Sequence, residues 1–426
     1  MAHPPISEFP SATKWLSQFN SADRAAAASL LDAMVLLNEE QVSRAIREQI
    51  YELCKMRKGK HRRMALYAER EFSTAAAFQS ELKPDRNGKI RMRAVGRTAA
   101  AVRPIRGGSR VGSEGWVSFI ISQAQEAWPN TIMNHPGPDL IRGKTSPPGT
   151  MVIVTDFIGS GSRVRAMLDV FWAVPSVRAW HSRKYIDFKI IAAAATMDGM
   201  AAIRKHRVKP DVLVQSVVPT IRTFPDWKKS SEWLSLINRY GPDAGRGASR
   251  YGFGGQGALV ALSYRLPNNT PALIHNSSEV WHALYVGPAP DDLRPAFGIR
   301  TEAEMLASAA EATGVSFADR LTPADASLVL ILSLMRGRWR NGKEIALAER
   351  TGLSVPDVWG ILRRALKQRL LTPSGRLTDA GQSTLAAGRK NERRRPDIPT
   401  NPEPYYPTQL RTPRGPSSTR RPPGRP

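Results

Sequence analysis

Pro147-Pro-Gly-Thr-Met-Val-Ile-Val-Thr-Asp-Phe-Ile-Gly-Ser-Gly-Ser-Arg163 decides how the rest of the chain is read. Residues 151–155 form a short apolar, β-branched run, the pattern of a strand buried in a parallel sheet. The run stops at Asp156, passes through Gly159-Ser160-Gly161-Ser162 and enters the helical spacing of Val164, Met167, Leu168 and Phe171. A strand that feeds a glycine-rich turn opening a helix makes a phosphate cradle. Backbone N–H groups converge, glycine admits close approach and the helix N-terminus favours an anion. Asp156, at the strand end, is placed to accept hydrogen bonds from sugar hydroxyls, as a carboxylate does in dinucleotide sites. An ordinary βα turn has the same outline; ligand binding is the better reading of this one.

The segment resembles the phosphoribosyl-diphosphate motif of type I phosphoribosyltransferases, where a hydrophobic strand leads to two acids, two apolar residues and a loop rich in Thr and Gly. Here Asp156 stands as the second acid, Phe157-Ile158 as the apolar pair and residues 159–163 as the loop. Thr155 occupies the place of the first acid, and Arg163 that of a Thr or Ser. The resemblance implies a ribose-phosphate ligand held by Asp156, Gly159, Ser160, Gly161, Ser162 and Arg163. The ligand would be phosphoribosyl diphosphate or a nucleotide, with magnesium entering through its phosphates and no metal site built from protein side chains. Loss of the first acid keeps the phosphate loop but leaves transferase chemistry open, and no catalytic residue is assigned.

Upstream, residues 99–105 read as a strand, followed by Arg106-Gly-Gly-Ser-Arg-Val-Gly-Ser-Glu-Gly115 and the amphipathic segment 116–124. In the family just named an earlier βα loop receives the pyrophosphate, and Arg106, Gly107, Gly108, Ser109 and Arg110 stand at that place. Flanking cations around open backbone suit a diphosphate. Downstream, residues 188–196 and 212–218 read as strands, 197–206 as the helix between them and 226–238 as a further helix. Trp227, Trp233, Leu234 and Ile237 of that last helix are expected in the core. Successive βαβ units predict an α/β fold: a parallel sheet with flanking helices and ligands at the carboxyl ends of the strands.

Gly252-Phe-Gly-Gly-Gln-Gly257 reads equally as an anion nest or a flexible turn. Pro267-Asn-Asn-Thr-Pro271, before Ala272-Leu-Ile-His275, resembles a signature of phosphoribosyltransferase-like proteins encoded in bacterial conflict systems, retron cassettes among them. Those proteins share the N-terminal helical segment and both glycine loops, and the resemblance covers roughly residues 13–285. His275 fits a hydrogen-bonded structural histidine better than a catalytic base.

Residues 10–56 read as helices, one capped by Asn20 or Ser21 and carrying Ala25, Leu30, Leu31, Met34 and Val35, the next opened by Asn38 with Gln41. The cluster Lys55, Arg57, Lys58, Lys60, Arg62 and Arg63 suits either phosphate contacts or a solvated helix end. After a connector, Thr322 and Pro323 open a helix over 324–335, Asn341 with Glu344 caps another over 343–350, and Ser354 with Asp357 caps a third over 355–370. Ala348, Gly352 and Val358 match the small residue, turn glycine and buried aliphatic of a helix-turn-helix. Residues 371–381 read as a wing, with Leu377-Thr-Asp-Ala-Gly381 at its end. Arg363, Arg364, Lys367 and Arg376 suit nucleic-acid phosphates. The first turn of the last helix (Val355, Pro356, Asp357, Trp359, Gly360) is poor in base-reading side chains, so shape and charge are favoured over operator reading.

The 62 Lys and Arg against 37 Asp and Glu leave a formal net charge of +25, which points to polyanionic partners. Residues 389–426 hold ten of those cations and three of the carboxylates, so most of the excess lies in the folded part. No apolar run reaches membrane-spanning length, no signal peptide is expected, and the single Cys54 suits a reducing cytoplasm. The expected organisation is an N-terminal helical segment (1–60), a phosphoribosyltransferase-like domain (61–285), a connector (286–320), a winged helix-turn-helix domain (321–387) and a disordered Arg/Pro-rich tail (388–426). Three functions fit. By resemblance, the first is an effector of a retron-type antiphage system, restrained by a reverse transcriptase and its RNA–DNA product. The second is a transcriptional regulator with a non-catalytic ligand-sensing domain, and the third a housekeeping transferase. Loss of the first acid argues against the third and the weak base-reading turn against the second.

Overall fold

The computed structural model describes residues 4–56, 63–71, 77–84, 87–97, 99, 113–141, 149–242, 248–298, 302–318, 321–335 and 342–389. In chain order come α1 (Pro10–Leu16), α2 (Arg24–Asp32), β1 (Val35–Leu37), α3 (Glu39–Lys55), β2 (Met64–Ala68) and the hairpin of β3 (Gln79–Pro84) and β4 (Ile90–Val95). Next are α4 (Ser113–Ala127), β5 (Ile132–Asn134), α5 (Pro138–Ile141), β6 (Thr150–Ile158), α6 (Ser162–Ala173), α7 (Pro175–Ser182), β7 (Asp187–Thr196), α8 (Met197–Arg204), β8 (Asp211–Val218) and α9 (Trp227–Tyr240). Short strands β9 (Ala248–Ser249), β10 (Gly252–Phe253) and β11 (Val260–Leu262) precede α10 (Ala272–His275).

The central sheet has five parallel strands in the order β5-β2-β6-β7-β8. Both of its faces are covered, so its strands are apolar on both sides. Met151 and Ile153 of β6 pack with Val164, Leu168 and Phe171 of α6 and Met200 of α8. Val152 and Val154 face the other way, with Ile46 and Ile50 of α3 and Ile120 of α4. The strand runs two residues beyond the expected stop at Asp156, because Phe157 and Ile158 continue the register with Ala194 and Ala195 of β7. Asp156 is therefore a residue inside the strand.

A second core joins the first 37 residues to the segment after β8. Trp15, Phe19, Leu30 and Leu31 pack with Trp233, Ile237, Leu273, Trp281 and Tyr285. Val35 does not extend a helix; it begins β1, which pairs in parallel with β11. Neither Asn20 nor Ser21 caps α2. Its N-cap is Asp23, whose own N–H donates to Asn20 Oδ1. The capping box of Asn38 and Gln41 is present at the start of α3. Trp233 is buried as expected, but Trp227, at the first position of α9 beside the cap Asp226, is 79% exposed.

The C-terminal part comprises α11 (Glu302–Thr313), α12 (Pro323–Leu334), α13 (Lys343–Thr351), α14 (Val355–Lys367) and α15 (Asp379–Gly388). Thr322 and Ser354 cap α12 and α14 as their sequences direct, and Gly352 supplies the left-handed turn between α13 and α14 at φ 69°. Gly342 holds the N-cap position of α13; Asn341 lies outside the described residues. The wing is a tight hairpin: Gly375 N–H donates to Thr372 O, and Leu371 bridges Leu377. Its expected end is instead a helix start, since Thr378 accepts from Gly381 N–H and caps α15. Helices α13 and α14 pack against the edge strand β8. Among the described residues no helix is long and apolar enough to cross a membrane.

Candidate functional site

The chain leaves β2 toward β5 on one side, and after returning as β6 it proceeds to β7 and β8 on the other. The order reverses between β2 and β6, and the crevice at the carboxyl ends of those two strands is where open α/β sheets bind ligands. Glu69 follows β2 there. Asp156 and the loop 159–162 come from the end of β6, and Glu114 from the first turn of α4.

The loop is held by close packing. Gly161 takes φ 72° at the N-cap of α6, which has no side-chain cap. A Cβ on Gly159 would fall 2.0 Å from Asn269 Oδ1, and one on Gly199 would fall 2.1 Å from Gly159 O. Thr196 Oγ1 donates to Gly159 O at 2.7 Å and accepts from Gly199 N–H. Ser160 and Ser162 hydroxyls lie 2.9 Å apart at the loop's surface. Asn269 in turn donates to Phe253 O. Pro267-Asn-Asn-Thr-Pro271 and the glycines from 252 to 257 therefore brace the glycine loop from outside. His275 sits away from it, its Nε2 3.2 Å from Thr270 O, the structural role expected for it.

The acids are arranged differently from the motif's outline. Asp156 is 2% exposed and its oxygens are occupied. Oδ1 accepts from Phe157 N–H at 2.8 Å, and Oδ2 from the Tyr264 hydroxyl at 3.1 Å and from Arg265 at 3.0 Å. The expectation of free acceptors on Asp156 thus meets a filled carboxylate. Burial, then the Asp156 charge, holds the Tyr264 hydroxyl well above its usual range.

Glu69 lies alongside. Its Oε2 accepts from Thr155 Oγ1 at 3.2 Å, and Oε1 is 2.8 Å from Arg163 Nε. Arg163 also reaches Glu114 at 3.0 Å, so its guanidinium turns toward two carboxylates across the crevice. Burial pushes the Glu69 carboxyl up to about 7; Arg163 opposes the shift, and Asp156 adds to it. On the other side of β2, His135 is buried with φ 44° and accepts from Ala68 N–H through Nε2. Burial draws it down to about 4, so it is neutral near pH 7. Neither Glu69 nor His135 was singled out by the sequence. The only local signal for Glu69 is an acid directly after the apolar run 64–68.

With the sheet order, loop and acids in view, comparison with known proteins gives the family. The PRTase-CE family model matches residues 12–286, well over half of the chain. The chain belongs to the PRTase-CE family. A second model, described as wHTH-PRTase associated, matches residues 329–412. Among the curated proteins compared, none matches. The AQ2163 protein of Aquifex aeolicus, a solved structure, is 12% identical over 51% of this chain and 85% of its own, with a TM-score of 0.20. In this PRTase-CE chain, Arg106, Gly107, Gly108, Ser109 and Arg110 lie outside the described residues, as do most of the strand expected over 99–105 and of the cationic cluster 55–63.

The winged helix-turn-helix carries Arg363 and Lys367, both exposed and one turn apart on α14, and Arg376 exposed on the wing. Arg363 lies over the half-exposed Trp359 ring at 5.6 Å. Arg364 is spent within the domain: it pairs with Asp325 at 2.7 Å and donates to Ala324 O. Thr223, in the turn after β8, donates to Glu349 of α13 at 2.8 Å. Burial raises the Glu349 carboxyl, with Asp198 of α8 adding to it. The first helix of the turn motif therefore meets the carboxyl-end edge of the sheet.

Proposed function

We propose that the chain is a phosphoribosyltransferase-like effector of a retron-type antiphage system, binding a ribose phosphate or nucleotide in the crevice between β2 and β6 and nucleic acid through its winged helix. The observation that carries the ligand half is the braced glycine loop at the switch point, opening α6 beside two buried carboxylates. The phosphate would lie on residues 159–163, with the sugar toward the acids. Arg106 and Arg110 would complete the anion site if phosphoribosyl diphosphate is the ligand, and magnesium would arrive on its phosphates. Calorimetry with phosphoribosyl diphosphate, ribose 5-phosphate and common nucleotides tests this, and binding of none of them would refute it.

The effector role is supported by the joint presence of the N-terminal helices, the two glycine loops and the Pro-Asn-Asn-Thr-Pro brace. Its test is co-purification with a reverse transcriptase encoded beside it and with that enzyme's RNA–DNA product; the chain purifying alone from cells that express all three would refute it. A second reading, a ligand-sensing regulator, is favoured by the hydrogen bond from Thr223 to Glu349, which ties the turn motif to the sheet's ligand edge. Enrichment of one palindromic duplex from a random pool would select it.

A further inference from the structure

The two carboxylates in the crevice differ in what they have left to offer a ligand. A carboxylate has about four lone-pair positions. Those of Asp156 are taken by Phe157 N–H, the Tyr264 hydroxyl and the Arg265 guanidinium, which reaches both oxygens, with Thr155 Oγ1 a further 3.4 Å neighbour. Glu69, whose side chain is 7% exposed, accepts one hydrogen bond, from Thr155. Its Oε1 is close to Arg163 Nε, but the two are not aligned as a hydrogen bond, and both atoms are buried without a hydrogen-bond partner. The residue that donates to Glu69 is Thr155, which stands where the motif would have its first acid.

We propose that Glu69 is the acid that binds the sugar hydroxyls at this site, delivered from β2 in place of the one that Thr155 replaces on β6. The proposal rests on the ribose-phosphate reading above. The strands place it there: β2 and β6 are paired neighbours, with Ala68 opposite Val154, so the next residue of each strand comes to the same edge. A buried carboxylate with an unfilled oxygen is a costly group unless a donor arrives, and a sugar hydroxyl is such a donor. Asp156 has a different task, holding Tyr264 and Arg265 as the wall of the crevice, with Trp116 against the tyrosine ring. The groups facing Glu69 are Arg163 from α6, Asp156 and Thr155 from β6, and Glu114 from α4.

The test uses the full-length protein with ribose 5-phosphate and inorganic phosphate as probes, the first by direct calorimetry and the second by competition. Glu69→Gln is expected to weaken ribose 5-phosphate roughly tenfold to a hundredfold while leaving inorganic phosphate unchanged, as expected for loss of a charge-assisted acceptor to the sugar. Thr155→Asp in a Glu69→Ala background is expected to restore most of the lost affinity, because Thr155 Oγ1 is 3.2 Å from Glu69 Oε2. Rescue of that kind separates loss of the acid from loss of the fold. Unchanged ribose 5-phosphate affinity in Glu69→Gln, or equal weakening of both probes, overturns the assignment and leaves the ribose-phosphate reading standing. A wild-type protein that binds neither probe overturns both.

Discussion

The two sides of the crevice are built on opposite principles. On the β6 side, the motif residues are turned inward: Asp156 anchors Tyr264 and Arg265, and Gly159 is clasped by Asn269 and Gly199. On the β2 side, Glu69 is also buried, but its Oε1 meets only the Arg163 ion pair and accepts no hydrogen bond. A residue's place in a motif and its chemical availability are thus separate properties. The first is written in local sequence, the second in which neighbours the sheet order brings to it.

The largest effect expected from this contrast is at Asp156. Asp156→Ala strips Tyr264 of its acceptor and leaves the Arg265 guanidinium, two-thirds buried, without its partner. Breaking a buried pair from one side costs about 3–5 kcal/mol, to be read as a drop in urea midpoint at constant slope. A cost under about 1 kcal/mol would mean that Asp156 is not the anchor.

Next comes the pH dependence of Glu69. Its carboxyl is raised from the ordinary 4.5 to about 7 in the folded protein, so between those values the folded state holds more protons than the unfolded chain. Stability from this group is therefore highest below 4.5 and falls as pH rises through 7, by up to about 3 kcal/mol. Glu69→Gln should remove that decline, and urea unfolding from pH 5 to 8 measures it. Parallel pH profiles for variant and wild type would show that Glu69 is not desolvated.

A smaller loss is expected at Gly199. An added methyl would meet Gly159 O at 2.1 Å, and overpacking of that kind costs about 1–3 kcal/mol. Because the strain falls on the 159–162 loop proposed to hold the phosphate, Gly199→Ala should also weaken inorganic phosphate. Normal phosphate binding with lowered stability would separate the loop from the site.

The mildest effect is on the winged helix. Replacing Arg363 and Lys367 with Ala should flatten the slope of log affinity against log salt by about one to two units on any duplex. Arg364→Ala should leave that slope unchanged and instead loosen the contact of α14 with α12, since its guanidinium already holds Asp325.

What could be read from sequence alone follows from the same contrast between local and distant determinants. Strand β6, its loop, and the caps Asn38, Thr322 and Ser354 were legible because each is fixed by residues within a few positions. Strand β1 was not, since three residues after a helix show no periodicity and their partner β11 lies more than 200 residues on. Strand β2 is only five residues long, and its central position comes from pairing with both β5 and β6. Without it, Glu69 has no visible relation to Thr155. Arg364 looked like a phosphate contact for the same reason: Asp325 is 39 positions away. Trp227 fits the helical spacing of a core residue, but it stands at the first position of α9 and is exposed.

The most direct measurement is a crystal structure of the protein with ribose 5-phosphate. The account predicts the phosphate on residues 159–163, a sugar hydroxyl within hydrogen-bond distance of Glu69, and Asp156 still paired with Arg265. A sugar bound by Asp156 with Arg265 displaced, or a ligand seated away from the ends of β2 and β6, would contradict it.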